Sequence, residues 1–248
     1  MNYANKLVLG TVQFGLDYGV NNQSGQVQQS EVNIISKYPQ SENSVAAIFA
    51  SSLEKLQQKK LYGYLVHHFE FYQSHPQLWE KMKDLKAEGK IDKIGFSLYN
   101  TDQLQYLLDN EVVFDVLQFP YNLFDRQFDT YLLYLKQCGV EIHTRSVFLQ
   151  GLFFKNVRKL TDKLLPMKKY LEKLHEYCGI SGISMEQLAL NYVVSHPNID
   201  GVLIGVDNCQ QLQANVDALQ NGLRQEDIDF ISSINVSEKE LLNPVNWK

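Results

Sequence analysis

The chain has 248 residues, 44% of them apolar, with 23 basic and 28 acidic side chains and a formal net charge of −5. This mild acidic balance without a basic block argues against nucleic acid as a partner, because phosphate backbones are bound through clustered Lys and Arg. The apolar runs are far shorter than the ~20 residues that a membrane-spanning helix needs, so no membrane association is expected.

The three cysteines, Cys138, Cys178 and Cys209, are odd in number and far apart along the chain. This spacing argues against a disulfide framework and against a cysteine-based zinc site. It is typical of proteins in a reducing compartment. We therefore expect a cytoplasmic protein without a structural metal.

Short runs rich in β-forming residues recur along the chain, and helical patterns separate most of them. Their spacing is about the length of one strand–helix unit. Continuous apolar runs of this kind are typical of parallel strands that are buried on both faces. The predicted strands cover residues 6–12, 32–36, 61–66, 91–97, 112–119, 141–144 and 201–205.

The segments between these strands carry apolar residues at i, i+4 and i+7, which predicts helices with one buried face. Ser184 and Gln187 have the spacing of a capping box, and they predict a helix start after the sixth strand. Asn208 predicts the start of the helix that follows the last strand.

Strand–helix repetition over the whole chain indicates an α/β fold, either a TIM-type barrel or a doubly wound sheet. No linker rich in Pro, Gly or Ser divides the chain, so a single domain over residues 1–248 is expected. In a barrel, the chemistry lies at the carboxyl ends of the strands. That rule selects the loop after Gly205 together with Lys37, His67, Ser97, Gln118, Arg145 and Ser146.

Each of these residues also has a structural interpretation. Lys37, at the end of a buried run, is either a rim side chain that reaches solvent or a functional group, since burying an unpaired ammonium is costly. His67 alone is more often a packed rim residue than a catalyst. His68 cannot easily share a metal ion with it, because neighbouring strand residues point to opposite faces. The amide of Gln118 needs partners, either backbone groups or a ligand.

Taken in chain order, these segments resemble the aldo-keto reductases, a family of NADP-dependent oxidoreductases. The resemblance implies a TIM-type barrel that holds NADP(H) extended across its carboxyl face. It also implies hydride transfer between the cofactor and the carbonyl carbon of a small substrate. The blocks that carry it are 9–19 (LGTVQFGLDYG), 35–37 (ISK), 64–67 (YLVH), 85–91 (LKAEGKI), 94–97 (IGFS), 115–122 (DVLQFPYN), 145–151 (RSVFLQG), 188–190 (LAL), 204–205 (IG) and 211–215 (QLQAN).

The resemblance implies which residues bind the nicotinamide end of the cofactor. Gly10 and Thr11 match the turn that lies against the nicotinamide ribose. Ser97 and Gln118 match the pair that hydrogen-bonds the carboxamide. The family commonly has Asn after that serine, where this chain has Leu98.

The resemblance also implies the residues that bind the rest of the cofactor. Arg145 and Ser146 match the segment along the nicotinamide face and the pyrophosphate. Gln211 and Asn215 match the helix at the adenosine end. The lysine that often grips the 2′-phosphate is replaced by the Gly-Val pair at 205–206, so NAD(H) is not excluded beside NADP(H).

The family reaction uses a tyrosine that donates a proton to the carbonyl oxygen and a histidine that orients the carbonyl group. A lysine paired with an aspartate lowers the pKa of the tyrosine, because a nearby ammonium favours the anionic phenol. The resemblance matches the lysine to Lys37 and the histidine to His67.

The aspartate and the tyrosine of that family should lie on and just after a second strand. In this chain, Lys37 follows Gly25 by only twelve residues, whereas two strand–helix units need roughly 60 residues. We therefore predict that the second strand and its flanking helices are missing and that the barrel is incomplete, with about seven parallel strands. The strands on either side then either pair directly or leave an open slot, which we expect a second copy of the chain to cover.

Three interpretations of function remain open. The first is an oxidoreductase with an incomplete catalytic set that acts on a small carbonyl or sugar-like substrate, with a tyrosine such as Tyr18, Tyr38, Tyr99 or Tyr121 in place of the missing acid. The second is a non-catalytic relative, a pseudoenzyme scaffold that binds the cofactor or a protein partner. The third is a deletion product that folds poorly. Loss of a general acid commonly costs 10²–10⁴-fold in rate.

Overall fold

The computed structural model describes residues 3–10, 33–41, 43–206 and 208–247. The strands are β1 (Leu7–Leu9), β2 (Ile35–Tyr38), β3 (Leu61–Val66), β4 (Ile91–Ser97), β5 (Val116–Pro120), β6 (Glu141–Arg145) and β7 (Gly201–Ile204). The α-helices are α1 (Val45–Leu56), α2 (Phe69–Ser74), α3 (Gln77–Ala87), α4 (Thr101–Asp109), α5 (Asp129–Gln137), α6 (Lys168–Ser181), α7 (Met185–Val194), α8 (Cys209–Ala218) and α9 (Gln225–Ser233). None of the helices in the described ranges combines the length and the apolar character needed to cross a membrane.

The seven strands form one parallel sheet in the order β1-β7-β6-β5-β4-β3-β2. The predicted α/β class and the predicted number of parallel strands are therefore confirmed. β1 is the first strand of this order and pairs with β7, and β2 is the last and pairs with β3. Residues 11–32, where the loss of a strand and its flanking helices is predicted, lie outside the described residues.

The described chain divides into two compact units. The first unit contains residues 3–10, 120–132, 143–206 and 208–247, and the second contains residues 33–41, 43–119 and 133–142. The single domain predicted over residues 1–248 remains a prediction.

The core of the first unit is a large cluster of buried apolar side chains. α6 and α7 each pack an apolar face into it, with Leu171, Leu174 and Leu188 fully buried. The segment that follows β6 adds Leu152 and Phe153 to the same cluster. Burial of side chains of this size contributes about 1.5–3 kcal/mol each, so this cluster fixes the chain on both sides of β7.

The core of the second unit is built around an aromatic group on β4. Phe96 is fully buried and stacks on Trp79 of α3, with ring centroids 4.5 Å apart. Tyr72 of α2 packs edge-on against Phe96 at 5.0 Å. Aromatic pairs in these geometries contribute about 0.5–1.5 kcal/mol beyond their buried area. They hold β4 in place, and β4 ends at Ser97.

The amino ends of β3, β4 and β6 share a polar cluster in the second unit. Lys93 forms an ion pair with Glu141, and the Tyr62 hydroxyl donates to Oε2 of Glu141 at 2.7 Å. Burial is the main cause that raises the pKa of Tyr62, and the hydrogen bond to the Glu141 carboxylate adds to the increase. In barrel-like sheets, groups at the amino ends of strands contribute to stability rather than to chemistry.

β5 begins later than the sequence predicts. The prediction starts the strand at residue 112, whereas the structure starts it at Val116, after a left-handed residue at Glu111 (φ 51°). Asp115 is bonded to β4 through both its backbone and its side chain: its N–H donates to the Ile94 carbonyl at 2.9 Å, and its carboxylate accepts the Ile94 N–H at 2.9 Å and two bonds from Nζ of Lys86 at 2.6 and 2.7 Å. The predicted residues 112–115 therefore lie before β5, although Asp115 already contacts β4.

β2 lies two to three residues further along the chain than predicted. The prediction covers residues 32–36, and the structure places the strand at Ile35–Tyr38. Tyr38 is buried at the end of the strand, so burial continues past the polar Ser36 and Lys37. Lys37 therefore lies within the strand instead of closing it.

The predicted N-caps Ser184 and Asn208 are confirmed, but the Gln187 side chain of the predicted capping box donates to the Asn221 carbonyl instead of bonding back to Ser184. The Ser184 hydroxyl accepts the N–H of Gln187 at 3.1 Å at the start of α7. The Asn208 side chain accepts the N–H of Gln211 at 2.9 Å at the start of α8. Each cap satisfies a backbone donor that the first turn leaves free, and each fixes the start of a helix in the first unit.

We predict that Gly95→Ala destabilises the protein by about 3 kcal/mol or prevents folding. A Cβ at this position in β4 would overlap the backbone carbonyl of Val116, and a backbone group cannot move aside without breaking the β4–β5 pairing. The measurement is urea unfolding followed by circular dichroism.

The control for this substitution is Gly179→Ala in α6, where no atom lies within 4 Å of the added Cβ. This change should stabilise the protein by about 0.5–1 kcal/mol, because Ala favours the helix over Gly. Similar small effects for both variants would contradict the close β4–β5 approach.

Candidate functional site

A cleft of about 790 Å³ opens in the first unit where the chain leaves β6 and β7. The two strands pair in parallel, so their carboxyl ends lie at the same edge of the sheet. The volume is in the range of small-molecule and cofactor pockets. Five of the residues predicted to bind a cofactor line this cleft: Gly10, Arg145, Ser146, Gln211 and Asn215.

A sharp turn after β6 forms one wall of the cleft. Ser146, Leu149 and Gln150 have positive φ angles of 62°, 46° and 49°, and Gly151 has φ 80°. The left-handed region costs a non-glycine residue about 1–2 kcal/mol. Two backbone bonds hold the turn: the Leu149 N–H donates to the Ser146 carbonyl at 2.8 Å, and the Gly151 N–H donates to the Phe148 carbonyl at 2.9 Å. Strain of this kind is concentrated in ligand-binding turns.

Gly10 brings the end of β1 close to β7. Its N–H donates to the Ile204 carbonyl at 2.7 Å. A Cβ at Gly10 would lie 3.3 Å from that oxygen and 3.7 Å from the Leu203 side chain, so a larger residue would separate the two backbones. Thr11, the second residue of the predicted ribose turn, lies outside the described residues.

α8 supplies the two amide residues of the cleft. Gln211 and Asn215 are four residues apart, which places them on one face of the helix. Asn215 is buried and Gln211 is exposed. The neighbouring α7 packs against α8, and Nδ2 of Asn191 donates to the Ala218 carbonyl at 2.8 Å. The structure thus brings Gln211 and Asn215 together as the resemblance implies.

The cleft also contains residues that the sequence analysis missed. Glu186 and Arg145 are the charged groups among its described lining residues. Phe148 and Phe154 form an aromatic pair on the lining, with ring centroids 5.3 Å apart, and Phe154 is 46% exposed. The block at 145–151 includes Phe148, but no sequence signal marked Glu186.

In the second unit, Lys37 contacts Ser97 across an intervening strand. Lys37 of β2 is level with Leu65 of β3, and Leu65 is level with Gly95 of β4. Ser97 lies two residues beyond Gly95, on the same face of β4. Nζ of Lys37 donates to Oγ of the buried Ser97 at 3.1 Å. Two predicted site residues that lie 60 positions apart in the sequence are therefore in direct contact.

Gln118 extends this polar group to β5. It pairs in register with Ser97 and is only 2% exposed. Its Oε1 is buried and has no hydrogen-bond partner among the described residues. An unsatisfied buried acceptor costs about 1–3 kcal/mol, so this oxygen has the character of a ligand-binding atom.

His67 follows β3 directly and continues its ladder, because its N–H donates to the Tyr38 carbonyl at 3.1 Å. Extending the β3–β4 register by one residue places His67 beside Ser97. The His67 ring is half-buried and packs against the ring of His68, with centroids 4.5 Å apart. Within the described ranges, no three His, Cys, Asp or Glu side chains gather as they would around a metal.

Two of the tyrosines considered as substitute acids lie on or just after strands of the second unit. Tyr38 is buried, and its hydroxyl points to backbone oxygens, with Oη 3.2 Å from the Ser41 carbonyl and 3.3 Å from the Asn43 carbonyl. Tyr99 follows Ser97 by two residues and is half-buried. Tyr18 lies outside the described residues.

Tyr121, the remaining candidate, belongs to the core of the first unit. It is 1% exposed, and its hydroxyl donates to Oδ1 of Asp129 at 2.6 Å. Its ring is parallel to that of Tyr192, with centroids 6.1 Å apart. Burial raises the pKa of Tyr121 strongly, and the neighbouring Tyr192 and Asp129 add to the increase. This phenol stays protonated and bound to the carboxylate, which indicates a structural role.

The model of the aldo/keto reductase family matches residues 23–236, and the chain belongs to this family. The NADH-specific methylglyoxal reductase of Escherichia coli (strain K12) is 25% identical over 210 residues, which cover 75% of this chain and 63% of that protein. The glyoxal reductase of Bacillus subtilis (strain 168) is 26% identical over 234 residues, which cover 91% and 76%. The match to L-galactose dehydrogenase of Arabidopsis thaliana covers 54% of that protein. The chain thus spans less than two thirds of the length of some of these relatives.

Solved structures of the family share the fold. The holo form of an aldo-keto reductase from Bacillus halodurans superposes with a TM-score of 0.65 at 18% identity, covering 86% of this chain and 76% of that one. An aldo/keto reductase from Klebsiella pneumoniae in complex with NADP and acetate gives a TM-score of 0.61 at 22% identity, covering 83% and 70%. At these identities the likeness establishes the fold alone.

The residues present in this chain fit the nicotinamide cofactor that the family binds. The buried Oε1 of Gln118 needs a donor, and a carboxamide N–H is a donor of the right kind. In the first unit, the Arg145 guanidinium lines the cleft and suits negatively charged phosphates.

We predict that Gly151→Ala lowers the free energy of unfolding by about 1–2 kcal/mol. Because no atom lies within 4 Å of the added Cβ, the cost is the left-handed backbone alone. The measurement is urea unfolding of the variant beside Gly222→Ala, where a Cβ also has open space but φ is not in the left-handed region. Equal stabilities for the two variants would show that the turn after β6 does not have this conformation.

Proposed function

We propose that this chain binds a nicotinamide dinucleotide and transfers hydride between it and a small carbonyl or sugar-like substrate. Membership of the aldo/keto reductase family gives the oxidoreductase class. The single observation that supports cofactor binding most directly is the buried Oε1 of Gln118, which has no donor among the described residues. The sequence resemblance predicts NADP(H), with NAD(H) not excluded.

In the first unit, the cleft offers binding groups for the ribose and phosphate parts of the dinucleotide. The Arg145 guanidinium supplies a positive charge beside the strained turn, and Ser146 supplies a hydroxyl. Loops after the last strands and the start of the following helix are common phosphate sites in barrel-like folds. We assign Gln211 and Asn215 to the adenosine part, as the resemblance predicts.

In the second unit, Ser97 and Gln118 are proposed to hold the carboxamide. Oε1 of Gln118 accepts an N–H of the carboxamide and thereby gains the partner it lacks. Ser97 is buried and pairs in register with Gln118, and its hydroxyl is the second group proposed to bind the carboxamide. Once bound, a reduced nicotinamide supplies the hydride.

Lys37 and His67 are proposed to act on the carbonyl oxygen. The ammonium group and the imidazole are hydrogen-bond donors that stabilise the negative charge developing on that oxygen. The aspartate and the tyrosine that accompany them in the family are missing from the sequence blocks where they are expected. We therefore expect slower turnover than in a complete member, by about 10²–10⁴-fold.

A second candidate function is dinucleotide binding without turnover. The observation that favours it is in the sequence, where the blocks expected to carry the family's aspartate and tyrosine are missing. A bound but unreacted cofactor would make the protein a scaffold or a sensor. Measurement of turnover separates this function from the first.

The substrate class is proposed from the chemistry and from the names of the relatives. Two relatives are named for the reduction of methylglyoxal and of glyoxal, which are small dicarbonyl compounds. These two compounds and short sugar aldehydes form the first substrate panel. We also propose a cytoplasmic location. We further propose an oligomer that covers the predicted gap in the barrel, and the molecular mass of the protein in solution tests this oligomer.

We predict that Gln118→Met weakens NADH and NADPH binding about tenfold while leaving the free energy of unfolding unchanged or higher. The substitution removes an acceptor that has no partner among the described residues and that is proposed to bind the carboxamide in the complex. ADP-ribose lacks the nicotinamide, so its affinity should not change. The measurements are isothermal titration calorimetry and urea unfolding.

The matched control is Gln103→Met in the same unit. Gln103 is buried, but both atoms of its amide have a partner: Oε1 accepts the Tyr99 N–H at 2.7 Å, and Nε2 donates to Glu70 at 3.1 Å. This variant should lose about 1–3 kcal/mol of stability and keep the dinucleotide affinity. Equal dinucleotide affinities of Gln118→Met and the wild-type protein would refute the carboxamide site.

We predict that Lys37→Ala and His67→Ala each lower kcat/KM for carbonyl reduction by about tenfold or more, with little change in dinucleotide affinity. Both groups are proposed to stabilise charge on the carbonyl oxygen rather than to hold the cofactor. The assay is oxidation of NADH and NADPH with the dicarbonyl and sugar panel. The exposed Lys81→Ala serves as control.

Turnover that survives both substitutions would contradict the assignment of Lys37 and His67. Binding of the dinucleotide with no turnover by the wild-type protein would favour the scaffold function.

A further inference from the structure

Glu186 introduces a negative charge into a cleft that is proposed to bind a polyanionic cofactor. It is half-buried and is one of two charged residues among the described lining, beside Arg145. The two charges offset each other, so these side chains do not form a strongly cationic pocket. A carboxylate on such a wall favours hydroxyl donors and disfavours an additional phosphate.

Glu186 lines the same cleft as the neutral amides Gln211 and Asn215. It is the second residue of α7, directly after the cap at Ser184 and Met185. α7 packs against α8, which contributes Gln211 and Asn215 to the same cleft. The lining of the cleft therefore includes a carboxylate and two carboxamides, a set that suits the vicinal hydroxyls of a ribose.

We propose that Glu186 selects NAD(H), which carries a free ribose 2′-hydroxyl, over the 2′-phosphorylated NADP(H). This inference rests on the proposed function. The carboxylate accepts charge-assisted hydrogen bonds from the ribose hydroxyls. Acidic side chains serve this purpose in other dinucleotide-binding folds.

The 2′-phosphate of NADP(H) would meet a repulsive group at this wall. It replaces a hydroxyl donor with an acceptor that carries nearly two negative charges at neutral pH. In the described part of the cleft, the compensating cation is Arg145, at the end of β6, whereas Glu186 belongs to α7. Discrimination thus comes both from an attractive contact to one cofactor and from repulsion of the other.

A purely structural role for Glu186 makes a different prediction. An acidic residue in the first turn of a helix interacts favourably with the helix dipole and contributes about 0.3–1 kcal/mol to stability. Its removal would then change stability and leave the ratio of the two cofactor affinities unchanged. The affinity ratio is therefore the readout that separates selection from helix stabilisation.

The test is isothermal titration calorimetry of the full chain with NADH and NADPH, and with 5′-AMP and 2′,5′-ADP as fragments of the adenosine end. The variants are Glu186→Gln and Glu186→Lys. The control is Glu176→Gln, which removes the same charge from an exposed position of α6. Thermal unfolding of each variant identifies any loss of folded protein.

We expect the wild-type protein to bind NADH about tenfold or more tightly than NADPH. Glu186→Gln should reduce that ratio about fivefold or more, Glu186→Lys should reverse it, and Glu176→Gln should leave it unchanged. The two adenosine fragments should follow the same order. Folded variants that bind both dinucleotides with the wild-type ratio would overturn the role of Glu186 and leave the proposed function intact. Absence of binding of either dinucleotide to the wild-type protein would overturn both.

Discussion

The register of the parallel strands is the constraint on which both groups of candidate residues depend. In the second unit, the alignment of Lys37 with Leu65 and of Leu65 with Gly95 allows the lysine to reach Ser97 across β3. In the first unit, the pairing of β1 with β7 places Gly10 beside the Ile204 carbonyl. A shift of one residue in the β2–β3 pairing would turn Lys37 to the other face of the sheet, and a shift in the β1–β7 pairing would move Gly10 away from the Ile204 carbonyl.

The same molecule combines a rigid core with polar groups that cost stability. The oxygen of Gln118, which has no donor in the part of the chain that the structure describes, and the left-handed residues after β6 are each unfavourable. The aromatic group around Phe96 and the apolar cluster that includes Leu188 supply the stability that offsets them. The left-handed residues lie at the cleft after β6 and β7, and the Gln118 oxygen belongs to the polar group with Lys37 and Ser97. Locally unfavourable groups at such places are typical of binding sites.

The sequence predicts the repeating architecture well because buried parallel strands are continuous apolar runs. The bounds of β3 and β4 are predicted correctly, and Ser97 and Gln118 lie next to each other as the resemblance implies. β2 is shifted because the burial of Tyr38 continues the strand past two polar residues, which no local pattern indicates. Glu186 was missed because its place in the cleft depends on the packing of α7 against α8, a contact between segments with no shared sequence pattern.

The central claim is that the cleft after β6 and β7 binds a nicotinamide dinucleotide. Hydrogen–deuterium exchange of the full chain with and without saturating NADH tests it most directly, because it reports where the ligand protects the backbone. The account predicts slower exchange in residues 145–151, 203–206 and 208–215 when NADH is present. Unchanged exchange in these three segments, under conditions where calorimetry detects NADH binding, would contradict it.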